Sequence, residues 1–195
     1  MGDRLISLRI ELHAIAAEEI SALDLVTPEI RRHYFLRRSI GTLHEFSEAL
    51  QLLDSYPDFQ TPIKTRFDSV SLHRWDRAVK FFSRIDAVLR NVRNDVGGHF
   101  GLTAALYAVR NLQADSMGRL EVEREWRANQ KELAVTAKVH FAGELAATVF
   151  FRHLEGKTRE LKARYFHRKL VLGYHRAIWA VNSLMTYTVV DRLGK

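Results

Sequence analysis

The sequence predicts a mainly α-helical protein: an elongated antiparallel helical bundle carrying one inserted two-stranded β-hairpin. Three observations lead there. Only three prolines and ten glycines interrupt 195 residues that are 47% hydrophobic, a composition that favours long unbroken helices. Over most of the chain apolar residues recur at intervals of three and four, the period of a helix face packed on a core. One stretch past the midpoint changes to alternation, the period of a strand. The length supports one well-buried core, so residues 1–195 are read as a single domain with the hairpin at 118–141.

The elements follow in order. Leu5, Leu8, Leu12, Ile15, Ala16 and Ile20 trace most of an apolar face for a first helix from about Leu5 to Ala22. Thr27-Pro28 then reads as a helix start, because threonine can cap and proline suits a first position whose N–H would be unpaired anyway. The second helix runs to about Leu53, with Leu36, Ile40, Leu43, Phe46, Leu50 and Leu53 facing the core. Pro57 and Pro62 break the chain there. A third long helix starts near Ser69 or Ser71 and reaches about Val96; its stripe is Trp75, Val79, Phe82, Ile85, Leu89, Val92 and Val96.

A fourth helix is expected from Leu102 to Ala114. The period then changes: Leu120 and Val122, and later Leu133, Val135, Ala137 and Val139, alternate with polar or small residues around a turn at Arg127-Ala128-Asn129-Gln130. A lone hairpin is marginal in water, so its apolar face is expected to rest on the bundle or on a second subunit. Helical spacing resumes from Gly143 to Leu154, breaks at Glu155-Gly156-Lys157, and continues from Thr158 to Leu193 in one or two pieces, basic at first through Arg159, Lys162 and Arg164, then with an apolar face of Val171, Tyr174, Ile178, Val181, Met185 and Thr188.

The functional reading centres on the end of the third long helix, Arg90-Asn91-Val92-Arg93-Asn94-Asp95-Val96-Gly97-Gly98-His99. Two glycines suit the left-handed conformation that ends a helix. They would turn His99 back toward Arg93, and an ion pair between Arg93 and Asp86 is sterically available. An arginine that clamps a phosphate and an imidazole that titrates near pH ~6.5 are what metal-free RNA cleavage requires. The same residues also make an ordinary helix end with a histidine in the following turn.

Arg93-Asn94-(four residues)-His99 resembles the Arg-polar-(three to five residues)-His motif of the HEPN superfamily, helical bundles that include ribonuclease toxins and abortive-infection proteins. The resemblance implies a metal-independent endoribonuclease of a defence or toxin-antitoxin system. On this reading Arg93 binds and stabilises phosphate, His99 acts as general acid or base, and Asn94 orients one of them. It also implies a homodimer that brings two motifs into one cleft, and a neutralising antitoxin protein as partner. Because some HEPN domains only bind, the alternative is a non-catalytic module for RNA, a nucleotide or a protein.

The formal net charge of +7 favours a polyanionic partner such as RNA through long-range attraction. Arg31-Arg32-His33-Tyr34-Phe35-Leu36-Arg37-Arg38 interleaves cations with rings, a pattern that can hold single-stranded nucleic acid. Arg31, Arg32, Arg37, Arg38 and Arg90 are therefore the RNA-binding candidates, and a solvated face of a core helix is the plainer reading. With no cysteine there is neither a disulfide framework nor a thiolate metal site, which fits a reducing cytoplasm. No metal-ligand spacing is found among the nine histidines, so neither metal nor cofactor is expected, and no uncharged run approaches the ~20 residues of a membrane span.

Overall fold

The computed structural model describes the backbone of residues 1–21, 28–96, 102–111, 120–127, 132–139 and 147–193, and the side chains of 1–20, 34–95, 102–111 and 147–187. Its body consists of four long helices: α1 (Gly2–Ser21), α2 (Pro28–Ser55), α4 (Ser69–Val96) and α7 (Arg159–Leu193). The short α3 (Pro57–Gln60) and a 3-10 turn at Lys64–Arg66 join α2 to α4. Between α4 and α7 lie α5 (Leu102–Arg110) and a helical segment at 147–152, here α6.

Side-chain pairing sets the direction of each helix. Glu11 meets Thr42, and Arg4 meets Glu45, so α1 and α2 run in opposite directions. Trp75 meets Asp54 and Asp86 meets Ser47, which does the same for α2 and α4. Ser183 bonds to the Ser71 carbonyl while Gly173 lies against Phe81, so α7 descends along α4. The result is an up-down-up-down bundle around one apolar core.

The α4 stripe forms the centre of that core. Trp75, Phe82, Leu89 and Val92 are fully or almost fully buried, as are Leu5 of α1, Ile40, Leu43, Phe46 and Leu50 of α2, and Val181 of α7. Ala78 and Ile85 complete the stripe, and Val79 sits at its margin. Ile20, expected on the core face of α1, is exposed. The last helix is one continuous piece of 35 residues, roughly 50 Å at 1.5 Å per residue. Its core side is Phe166, Ala177, Ala180, Val181 and Leu184, while Val171 and Met185 of the expected face are partly exposed, at 44% and 38%.

The fold class read from the sequence requires correction. Within the segments whose side chains are described, 89% of residues are helical and no residue lies in a strand. The chain is a helical protein, and the hairpin insertion at 118–141 is withdrawn from its fold class. The backbone of Leu120–Arg127 and Glu132–Val139 follows an antiparallel ladder, but the strand side chains lie outside the described residues. Alternation reports a local backbone preference; membership of the fold is decided by which side chains pack together.

Two polar devices begin α4. Asp68 caps it: one carboxylate oxygen accepts from the Val70 and Ser71 N–H groups at 2.8 Å, and the other accepts from the Ser71 hydroxyl at 2.8 Å. These bonds, first those from Ser71, hold the Asp68 carboxyl below its ordinary range. Further in, the Trp75 indole donates to Asp54 at 2.7 Å, and Lys64 bridges Asp54 and Asp76 at 2.9 Å each. Burial alone would lower the Lys64 ammonium, but the bonds and charges of Asp54 and Asp76 outweigh it and raise it.

Asp54→Ala removes the acceptor of a buried indole and one of the two carboxylates on Lys64, so it should cost about 2–3 kcal/mol. A thermal melt should fall by about 5–10 °C in a chain of this size. Asp68→Ala should lower Tm by about 2–4 °C at pH 7, the effect of one lost cap. Because the folded carboxyl is depressed, its stabilisation is present above the ordinary value of 3.8 and lost as pH falls through the folded value. The difference between wild type and Asp68→Ala should therefore shrink on acidification, as melts across pH 2–7 would show.

Candidate functional site at the end of α4

Helical period decides which residues at the end of α4 meet solvent. Val92 is buried, so Arg93, about 100° further round, and Asn94, about 200° round, turn outward. Both are exposed. Asp95 is about 300° round and returns to the flank of the core, where it is largely buried.

Arg93 and Arg90 are paired differently from the sequence expectation. Asp86 is occupied by the Ser47 hydroxyl at 2.9 Å and by Arg90, one turn on, at 3.5 Å. Arg93 instead reaches across to Glu45 of α2 at 3.7 Å. Glu45 also faces Arg4 at 3.8 Å. These are long, solvent-exposed contacts of small net stability, so the Arg93 fork can turn to a stronger anion at little cost. Asn94 has no partner among the described residues.

Asp95 behaves otherwise. A carboxylate in the last turn of a helix opposes the macrodipole, and Asp95 is offset by the Arg152 guanidinium of α6 and met by the His153 ring in the turn after it. Arg152 approaches to 2.6 Å and His153 is in contact with the same oxygen. The Arg152 Nε also lies 2.8 Å from the His153 Nε2. One ring nitrogen cannot both accept from Arg152 and donate to Asp95; donation to the carboxylate, the stronger acceptor, is the arrangement consistent with Arg152 pairing directly through its own Nη2. The Arg152 guanidinium stacks 5.0 Å from the centroid of Tyr107 on α5. One carboxylate thereby fastens α4, α5 and α6 together.

The predicted catalytic set is only partly described. Arg93 and Asn94 share the wet side of the last turn, while His99 lies outside the described residues. Of the RNA-binding candidates, Arg31 and Arg32 belong to α2 but their side chains are outside the described residues. Arg37 is exposed. Arg38 is engaged by Glu18 of α1 and stands 5.7 Å from the Tyr34 ring centroid. It serves the α1–α2 seam. Among the described residues no group of three or more His, Asp or Glu side chains converges as a metal site, and no described helix is long and apolar enough to cross a membrane.

Beside this end of the molecule the sequence reading missed a concave site. A cavity of about 210 Å³ is bounded by Tyr107 of α5, by Thr148, Phe151 and Arg152 of α6, and by Lys157, Thr158, Arg159 and Lys162 at the start of α7. Gly156, with φ of 140°, makes the turn that leads into it; a Cβ there would also press to 3.0 Å on the Lys162 backbone and side chain. The signal in the sequence was the basic run after a glycine. Its meeting with Tyr107 and Arg152 depends on chain reversals that no local spacing encodes. Against family models, curated proteins and solved structures, the chain matches none.

A double-mutant cycle on Asp95→Ala and Arg152→Ala should give a coupling of about 1–2 kcal/mol in thermal or urea unfolding, as expected for contacting charged partners. Asp95→Ala alone should also speed hydrogen exchange in 147–152. Additive effects with unchanged exchange would show that the contact does not fasten α6.

Proposed function

We propose that the protein acts on RNA at the C-terminal end of α4, as a metal-independent endoribonuclease that uses Arg93, Asn94 and His99. The observation that supports this best is the state of Arg93: an exposed guanidinium held, among the described residues, only by a 3.7 Å contact to an exposed carboxylate. A phosphate, bound through a bidentate charge-assisted fork, would displace so weak a partner.

The chemistry assigned to the site is transesterification. The ribose 2′-oxygen attacks the adjacent phosphorus and loses its proton to a base, the bond to the 5′-oxygen breaks, and that oxygen leaves with a proton. The products are a 2′,3′-cyclic phosphate and a 5′-hydroxyl. His99 is assigned one of the proton transfers, Arg93 offsets charge on the phosphorane oxygens, and Asn94 orients one of them. As the resemblance implies, the acting form is a homodimer with two motifs in one cleft, in the toxic half of a defence or toxin-antitoxin pair with a neutralising protein. The cation-lined cavity beside Arg152 favours a second reading, a non-catalytic module that holds RNA or a nucleotide, because binding there needs no proton transfer.

In chelator, wild-type protein should cleave RNA to cyclic-phosphate ends. His99→Ala should slow cleavage about 10²- to 10⁴-fold with an unchanged melt, and Arg93→Lys should be markedly impaired because an ammonium cannot reproduce the fork. Equal cleavage by wild type and folded His99→Ala would overturn the catalytic assignment; binding without cleavage by wild type selects the non-catalytic module.

A further inference from the structure

We infer that the seam between α4 and α7 around Trp179 binds a phosphate group, held by the guanidinium forks of Arg74 and Arg77 in the field of the buried Arg176. The group is free phosphate or one phosphate of an RNA strand. This site stands apart from the Arg93–His99 motif and does not rest on cleavage.

Arg176 carries the argument. It lies two turns before Ser183, whose hydroxyl bonds to the Ser71 carbonyl at 3.2 Å, so it shares the side of α7 that faces α4. Only 7% of it is exposed, and its Nε and Nη1 are enclosed without a hydrogen-bond partner. A charge taken out of water costs stability unless it is paired. What meets Arg176 is the face of Trp179, 4.7 Å from the guanidinium carbon, and the repelling charge of Arg77. Arg74 stands 5.9 Å from the same ring centroid. Three guanidinium groups thus gather at one stretch of the seam.

The acids within reach are engaged elsewhere. On α4, Asp76 faces Lys64, Asp86 faces Arg90 and Ser47, and Asp95 faces Arg152. The charge of Asp68 reaches Arg74, but its two oxygens accept from Val70 and Ser71 at the helix start. On α7 no acid occurs between Glu160 and Asp191, a stretch that holds Lys162, Arg164, Arg168, Lys169 and Arg176. Among the described residues, then, no carboxylate forms an ion pair with Arg74, Arg77 or Arg176.

The arrangement suits an incoming oxyanion. Arg74 and Arg77 are exposed and three positions apart on one helix, so both forks can turn to one group from the same side. Behind them the Arg176 charge is shielded from water, which leaves its field little screened. The fold alone gains little from such a charge; a bound anion gains much. A phosphate brings roughly two negative charges at neutral pH and oxygens for bidentate bonds, whereas a carboxylate brings one charge to three cations.

Full-length protein should be melted in chloride, acetate and phosphate at equal ionic strength. Phosphate at about 10 mM should raise the melt by about 3–6 °C over chloride, and acetate by much less. Arg74→Gln with Arg77→Gln should abolish that gain, while Arg164→Gln with Arg168→Gln, which removes two exposed cations further along α7, should keep most of it. Arg176→Met should melt no lower than wild type in chloride, yet need about tenfold more phosphate for half its gain. A single-stranded oligoribonucleotide is then titrated against phosphate on His99→Ala protein, so that cleavage cannot obscure binding. Displacement of phosphate identifies a strand as the source; no displacement identifies free phosphate. No gain with phosphate, an equal gain with acetate, a gain that survives the Arg74 and Arg77 substitutions, or one lost equally with Arg164 and Arg168 would overturn the proposal. Absence of cleavage by wild type would leave it standing.

Discussion

The packing of the α4 stripe between α2 and α7 is the constraint on which the rest depends. Trp75, Phe82, Leu89 and Val92 are buried along one line, and a rigid helix with one line buried has no freedom in where its other residues point. Arg93 and Asn94 face water because Val92 does not. Asp95 must find partners because the helix brings it back to the core flank. The geometry of the proposed working end is thus a consequence of core packing, which leaves Arg93 to reach Glu45 over a long, exposed contact.

Acids and bases are distributed unevenly around that end. Asp86 is consumed by Arg90 and Ser47, Asp95 by Arg152 and His153, and Glu155 by Lys169. Lys162, at the start of α7, donates instead to the neutral Phe151 carbonyl at 2.9 Å. A different solution appears deeper in α7, where Arg176 is 7% exposed. Burial lowers its guanidinium, Arg77 adds repulsion, and the face of Trp179 at 4.7 Å from the guanidinium carbon gives back part of the lost hydration.

The alternating stretch from Leu120 to Val139 shows how far a periodic pattern can be read. Alternation favours extended backbone, and the ladder between the two segments agrees with that local preference. The fold class is another matter, since it rests on the packed helical body, in which no strand takes part among the residues whose side chains are described. Residues 143–154 are more modest: helical spacing was legible, and helix is found at 147–152.

By itself the sequence determined the long helices, the buried stripes of α2 and α4, and the breaks at Pro57 and Gly156, because all of these follow from periodicity and backbone preference within a few turns. Tertiary structure alone decided that Arg93 meets Glu45 and not Asp86, that Arg38 belongs to the α1–α2 seam, that Asp95 holds Arg152 and His153, and that Tyr107 shares a cavity with Lys157 and Arg159. It also rotated the core face of α7 away from Val171 and Met185. These pairings join residues from separate helices, and the energies that select them arise only when the helices pack and water leaves between them.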